Sequence, residues 1–236
     1  EYDGSRYQGF STRKKSASID SKLAQAILDI TGQTPQLFAA VKTEPGVHAA
    51  YQVVSFQLEK DVLPDMATAL KQKLNAVLPA DIAVLSAETA DERFVASLAA
   101  KSCTYTCRIA TDPSAALFSR LYTCVISEPL DLEAMQQAAQ FLTGTHDFAV
   151  FSDGRTKKST VRTVKQITVT CEGQLVEIQM TANSFLRHMP QLLAGTILAA
   201  GKEKKTDGIP LIFSDVKSAA PACPSYAFTL TDVQLR

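Results

Sequence analysis

The order in which helical and strand periodicities alternate along the chain restricts its fold more than any other feature. Tyr2 to Phe10 reads as the end of a strand followed by a glycine-containing turn. From Ser18, an N-cap candidate, Ile19, Leu23, Ala26, Ile27 and Ile30 recur at helical spacing until Gly32 supplies a stop. The apolar runs LFAAV and QVVSF follow on either side of a loop from Lys42 to Ala49. A second helix is expected from Asp65 to Val77, with Met66, Ala69, Leu70 and Leu74 on one side and Pro79 ending it, and DIAVLSAE then reads as a strand.

The second half supports the same order. KSCTYTCRIA reads as a strand and Asp131 to Leu142 as an amphipathic helix. TVKQITVTCE and QLVEIQMTA form a hairpin across the turn Glu172 to Gln174. An apolar helix is expected from Ser184 to Ala200, and YAFTLTDVQL closes the chain as a strand. The pattern βαββαβ is that of a ferredoxin-like unit. Two in tandem, residues 1–98 and 99–236, predict an α+β architecture whose sheets join into one mostly antiparallel sheet with a central cleft. No flexible or low-complexity linker marks the boundary, so tight packing of the halves is expected.

A chain of 236 residues that is 46% hydrophobic can bury the core this requires, which excludes disorder as its main state. No run approaches the 18 or more uncharged apolar residues of a membrane span. EYDGSRYQGF has neither the charged start nor the apolar stretch of a signal peptide. A soluble, cytoplasmic protein is expected. The chain starts at Glu1 rather than Met, so the strand running into Tyr2 is expected to be truncated.

Five scattered cysteines are too few for a disulfide framework, and reduced thiols are expected. Cys103 and Cys107 fall on one face of a strand with no histidine nearby, which reads as small buried apolar residues rather than a metal site. No metal is expected. The 24 basic and 24 acidic residues balance, so the global field selects no partner. Locally, Arg13, Lys14 and Lys15, then Arg155, Lys157, Lys158, Arg162 and Lys165, then Lys202, Lys204 and Lys205 form three basic runs. Each alone reads as a solvated loop; converging on one face, they would bind phosphates by releasing counterions.

Between two strands, VKTEPGVHA gathers Lys42, Glu44, a Pro45-Gly46 turn and His48. A charged loop on a rigid sheet is a preferred functional position. Glu44 there suits a nucleophile or general base held ionised by Lys42, while a plain turn explains the same composition.

These segments together resemble a known family. YDGSRYQGF is similar to the YDGTxYxGW opening of the TruA-type tRNA pseudouridine synthases, and VKTEPGVHAAYQVVSF resembles their signature GRTDAGVHAxxQVxxF. LNAVLPADIAV, FVASLAAKSCTYTCRI, FLTGTHDFAVF, TVRTV, ANSFLRHMPQLLAGTILAAG and APACPSYAFTLTDV match in the same order, over nearly the whole chain. The resemblance implies two ferredoxin-like halves and a homodimer whose basic clefts hold tRNA. It also implies conversion of uridine to pseudouridine in the anticodon stem-loop, with no metal or organic cofactor. In the family, the signature aspartate attacks the target nucleotide once the base has left the stack, and the uracil ring is re-attached through carbon.

Glu44 stands at that aspartate's position, with a carboxylate displaced by roughly one bond length, and shifts of about 1 Å can cost on the order of 100-fold in rate. Lys42 replaces the signature arginine and loses its bidentate fork. Tyr105 matches the tyrosine that the family is expected to stack on the target base; a strand core residue is its plain alternative. Ser97 replaces arginine, Cys103 lysine and Cys107 a second tyrosine. Pro190-Gln191 stands where the family has Val-Arg, so Gln191 replaces an arginine expected to pair with the catalytic carboxylate, and Ala227-Phe228 replaces a Gly-Leu pair lining the pocket.

His146-Asp147 is expected to end a helix and order a loop, and His188 to pack on the apolar helix. His48 is expected to structure its loop or touch RNA. Glu44 and Tyr105 are thus the expected catalytic residues, with Lys42, His48, Gln191 and Phe228 in support. The rival reading is an RNA-binding protein of the same fold that has lost catalysis, and a third is a dimeric scaffold without RNA.

Overall fold

The computed structural model describes residues 1–11, 18–59, 66–152, 159–204, 206, 212–213, 219 and 221–236. Its architecture is α+β with a mostly antiparallel sheet. The chain divides into two compact units: Glu1–Lys101 with Asp232–Arg236, and Ser102–Thr231. Among the described residues no helix is long and apolar enough to cross a membrane.

In the first unit, helix α1 (Ile19–Thr31) ends as its sequence implies. Gly32 takes the left-handed conformation (φ 72°) and its N–H caps the Leu28 carbonyl at 2.7 Å. Ser18 precedes the helix without a side-chain cap bond, so the expected N-cap is one of position only. Ile19, Ala26 and Ile27 are buried on the face that meets α2 (Met66–Val77), which contributes Leu70 and Leu74. Asp65, the expected first residue of that helix, lies outside the described residues.

The strands of this unit are shorter than expected. LFAAV and QVVSF supply only β1 (Phe38–Ala39) and β3 (Val54–Ser55), paired antiparallel, with β2 (His48–Ala49) between them in the chain. A side chain takes the place of the ladder: the Gln52 amide accepts from Val41 N–H at 3.3 Å and donates to Val41 O at 2.7 Å. DIAVLSAE is not a strand. Only Ile82 bridges, to Tyr2, and the Asn75 amide binds both main-chain groups of Val84, at 2.7 and 2.9 Å. Backbone groups satisfied by side chains need no neighbouring strand. A short helix, α3 (Ala96–Ala99), follows, with Ala96 N–H bound to Ser55 Oγ at 2.9 Å.

The second unit matches its pattern more fully. It takes in most of β4 (Ala100–Ala110), then β5 (Cys124–Val125), α4 (Leu132–Leu142), β6 (Gly144–Asp147), β7 (Val161–Glu172), β8 (Leu175–Ala182), α5 (Met189–Glu203) and the first residues of β9 (Phe228–Leu235). Strand order runs β9-β4-β8-β7-β6. The pairs β4–β8, β8–β7 and β7–β6 are antiparallel, and β5 joins β4 in parallel. Alternation along β7 is interrupted where Lys165 is extra in the register between Val164 and Gln166, a bulge. Helix α4 begins at its N-cap Asp131, whose carboxylate accepts from Ala134 N–H at 3.0 Å, and packs on β7 and α5. Between these layers Met135, Leu142, Ile178, Met180, Leu193 and Ile197 are fully buried.

Helix α5 starts five residues later than expected. Pro190 lies in its first turn, where its missing N–H is harmless; a helix run through from Ser184 would put the ring against the Leu186 carbonyl. His188 is therefore not a helix residue but the residue before it, left-handed at φ 57°. His146 and Asp147 likewise belong to strand β6 rather than to a helix end.

Candidate active site and RNA-binding surface

The two short motifs at the start of the chain come together. Tyr2 and Ala49 exchange main-chain bonds at 2.8 and 3.1 Å, and the Tyr2 hydroxyl meets Thr43 Oγ1 at 2.7 Å. Phe10 N–H donates to Thr43 O and Gly46 N–H to Tyr7 O, both at 3.2 Å. The loop crosses so close to the opening segment that side chains are excluded there. A Cβ on Gly4 would stand 2.0 Å from Val47 O, and one on Gly9, itself at φ +84°, 2.5 Å from Thr43 O. Val47 N–H closes the turn onto Glu44 O at 3.1 Å. Thr43, Val47 and His48 are the buried anchors; Glu44 is half-buried between them and Lys42 is exposed.

His48 is a structural partner of the opening segment. Its Nδ1 accepts from Gly4 N–H at 3.0 Å and lies 3.1 Å from Asp3 Oδ1. One nitrogen does not accept from Gly4 and donate to Asp3 at once, so the tautomer of the ring selects the bond.

Asp81 also organises this region. It accepts from the Tyr7 hydroxyl at 2.7 Å and from Arg6 Nε at 2.9 Å, while its main-chain oxygen takes Asp3 N–H at 2.9 Å. Burial opposes its ionisation, but the bonds from Arg6 and Tyr7 outweigh that and hold its carboxyl below the ordinary value. Burial and Asp81 together push the Tyr7 phenol up to about 12. Asp81 escapes sequence reasoning because it lies 74 residues from Tyr7, with no local pattern to mark it.

In the second unit Tyr105 is buried on β4, opposite Met180 of β8, and meets the Phe185 ring edge-on at 5.4 Å. Cys103 and Cys107 alternate with it on the same face and are buried, as their spacing implies. Phe228, at the start of β9, is fully buried. Gln191 is buried in the first turn of α5, and its carbonyl accepts from Cys223 N–H at 3.0 Å. The 221–223 segment reaches α5 because Gly195 leaves room: a Cβ there would lie 2.0 Å from Pro221 O.

The Cys107 thiol is hydrogen-bonded to the Cys223 thiol, and Cys124 Sγ to the Tyr226 hydroxyl. Burial above all, with Cys223 adding to it, drives the Cys107 thiol well up, so it is no thiolate nucleophile. All five thiols are free.

Of the basic runs, Arg162, Lys165, Lys202 and Lys204 are described. Arg162 stands on β7 opposite His146, with Nη1 donating to Ser159 O and Val161 O at 2.9 and 2.7 Å, while its Nε has no partner among the described residues. Lys202 pairs with Glu128 at 3.2 Å. Arg13, Lys14, Lys15, Arg155, Lys157, Lys158 and Lys205 lie outside the described residues. His146 is held by packing: it stacks on Phe213 at 4.4 Å, and its Nε2 lies 3.0 Å from Thr143 O.

The structure thus places Lys42, Glu44 and His48 in one loop of the first unit, and Tyr105, Gln191 and Phe228 on separate elements of the second, β4, α5 and β9. Comparison with known proteins gives these groupings a family. Residues 138–228 match the model of the tRNA pseudouridine synthase family. The chain is 35% identical over 223 residues to tRNA pseudouridine synthase A of Thermoanaerobacter sp. (strain X514), covering 93% of this chain and 90% of that one. It is 33% identical over 239 residues to the protein of the same name from Acetivibrio thermocellus, covering 99% and 96%. Against the Allorhizobium ampelinum protein, also so named, identity is 35% over 231 residues, covering 95% and 88%. Similarity of this extent, running through both the Glu44 loop and the Tyr105 strand, shows that the chain belongs to the TruA-type tRNA pseudouridine synthase family.

Proposed function

We propose that the chain isomerises uridine to pseudouridine in the anticodon stem-loop of tRNA. Glu44 acts as the nucleophile in place of the family's aspartate, and Tyr105 stacks on the displaced base. The observation that carries this reading is the fixed Glu44 loop: two glycines and the bonds to Thr43, Gly46 and His48 hold its main chain against the opening segment. A carboxylate so presented suits covalent attack on the nucleotide; the N1–C1′ bond is then exchanged for a C5–C1′ bond as the uracil turns, the carboxylate is released, the C5 hydrogen goes to solvent and N1 takes up a proton. Lys42 and His48 support the loop, and Phe228 closes the base pocket. The family's arginine position is taken by the neutral Gln191, and the reaction is slower than an aspartate–arginine site would make it. The basic segments around Arg13 to Lys15 and Arg155 to Arg162 bind the tRNA backbone. The protein works as a cytoplasmic homodimer, without metal or organic cofactor.

The test is release of tritium from tRNA carrying [5-³H]uridine, with pseudouridine quantified in the product. Wild-type protein should form pseudouridine and Glu44→Gln should not. If wild type forms none on any tRNA yet binds it, the chain is an RNA-binding relative without catalysis, and this reading fails.

A further inference from the structure

Helix α5 is almost wholly apolar where it is buried, and two of its buried side chains are polar, Gln191 and Thr196. Thr196 is satisfied within the helix, its hydroxyl donating to Leu192 O at 2.9 Å. Gln191 is not. It is 2% exposed, and its Oε1 has no hydrogen-bond partner among the described residues. Buried polar atoms are nearly always paired, and an orphan destabilises the fold unless a ligand supplies what the protein withholds. Helix and sheet do not need an amide here; a leucine would fill the same space at no such cost.

A primary amide offers an acceptor and a donor side by side, spaced to match a cis-imide edge. Uracil presents that edge as N3–H flanked by carbonyl oxygens. The orphan atom of Gln191 is the acceptor, the half of the amide that requires a donor such as N3–H. Its neighbour in the chain, Phe185, six residues before Gln191, rests on Tyr105.

We propose that Gln191 binds the target base directly, its Oε1 accepting from uracil N3–H and its Nε2 donating to O4. This rests on the function proposed above and adds a substrate contact to it. An arginine at the same position has five donors and no acceptor, so it offers nothing to N3–H. The replacement changes the chemistry of the position from charge support to base binding. Oε1 is closed to water, so N3–H reaches it only as the surrounding side chains part to admit the base. The amide can turn to suit either pyrimidine, so the proposal concerns base binding and not rejection of cytidine.

The experiment compares wild type with Gln191→Leu and Gln191→Met on anticodon stem-loop RNA bearing uridine or 3-methyluridine at the modified position, which lacks the N3–H. Wild type should bind the uridine RNA about 10-fold or more tightly than the methylated one, and both variants should bind the two RNAs alike. Pseudouridine formation should fall about 10- to 100-fold in kcat/KM in both variants. Their Tm should rise by about 3 °C, because the orphan oxygen is gone. An active wild type, with a variant that is equally active or still favours uridine, overturns this inference and leaves the proposed function standing. A wild type that forms no pseudouridine and binds both RNAs equally overturns both.

Discussion

Replacing Gly4 by alanine tests how the active loop is held. Gly4 has no Cβ, and one added there would lie 2.0 Å from Val47 O and 2.6 Å from its carbonyl carbon. A carbon–oxygen contact needs about 3.3 Å, so the Val47 peptide must retreat by roughly 1.3 Å. Neither atom is the tip of a flexible side chain. Val47 N–H is bonded to Glu44 O, so the retreat carries the Glu44 turn with it. A 1 Å displacement of a reacting group costs on the order of 100-fold in rate, while overpacking costs about 1–3 kcal/mol of stability. Gly4→Ala should therefore lower kcat by about 100-fold, leave tRNA affinity within a few-fold of wild type, and lower Tm by several degrees. Gly32→Ala is the control. It carries a left-handed φ of +72° but has nothing within 4 Å of its would-be Cβ, so it should lose about 1–2 kcal/mol and no activity. Tritium release and thermal melts on the same preparations read both quantities. A Gly4→Ala protein with wild-type turnover would refute the idea that main-chain contact between these segments positions Glu44.

Other perturbations separate the roles assigned above. Asp81 has a lowered pKa, so its contribution to stability is present above the unfolded carboxylate range near about 3.9 and is lost as pH falls through the folded value; Asp81→Asn should flatten that acid limb in unfolding titrations. In the native protein one thiol, the exposed Cys171, should react with Ellman's reagent near pH 7.5, and the four buried ones only on unfolding; rapid modification of Cys107 would contradict its sealed, raised thiol. Neutralising Lys157, Lys158 and Arg162 together should weaken tRNA binding and reduce the salt slope by roughly one for each phosphate that is no longer neutralised; an unchanged slope would make this stretch a solvated face. Glu44→Asp alone should give little, whereas Glu44→Asp with Gln191→Arg should form measurably more pseudouridine, because a carboxylate and its charged partner act as a unit whose gain outweighs the base contact that Gln191 gives up. No gain in the double variant, with binding intact, would deny that partnership.

What the sequence discloses follows from how local its causes are. The hairpin of β7 and β8, helix α4 with its Asp131 cap, and the stop of α1 at Gly32 each depend on residues within a few positions, and all are legible. The short strands of the first unit are not, because Gln52 and Asn75 satisfy main-chain groups at Val41 and Val84 through side chains up to 11 residues away. The start of α5 is misread from apolar periodicity because that pattern takes no account of Pro190, whose ring forbids the earlier start. Within the candidate site, Glu44, Tyr105 and Gln191 are marked by family resemblance, and the hydrogen bond between the Cys107 and Cys223 thiols by nothing local.

The anchoring of the Glu44 loop bears on how its side chains are free to vary. The bonds that tie it to the opening segment run through main-chain groups and through Thr43 and His48, and the close approaches are made at Gly4 and Gly9. Lys42 is exposed and Glu44 half-buried, so a change of side chain at either position leaves those ties in place. The loop's path is then fixed independently of the group it presents. With the main chain fixed, the length of the side chain at position 44 acts on the reach of its carboxylate and not on the path of the loop. On the proposed function, a site divided in this way can change the group it presents, such as Glu44, while its scaffold stays intact.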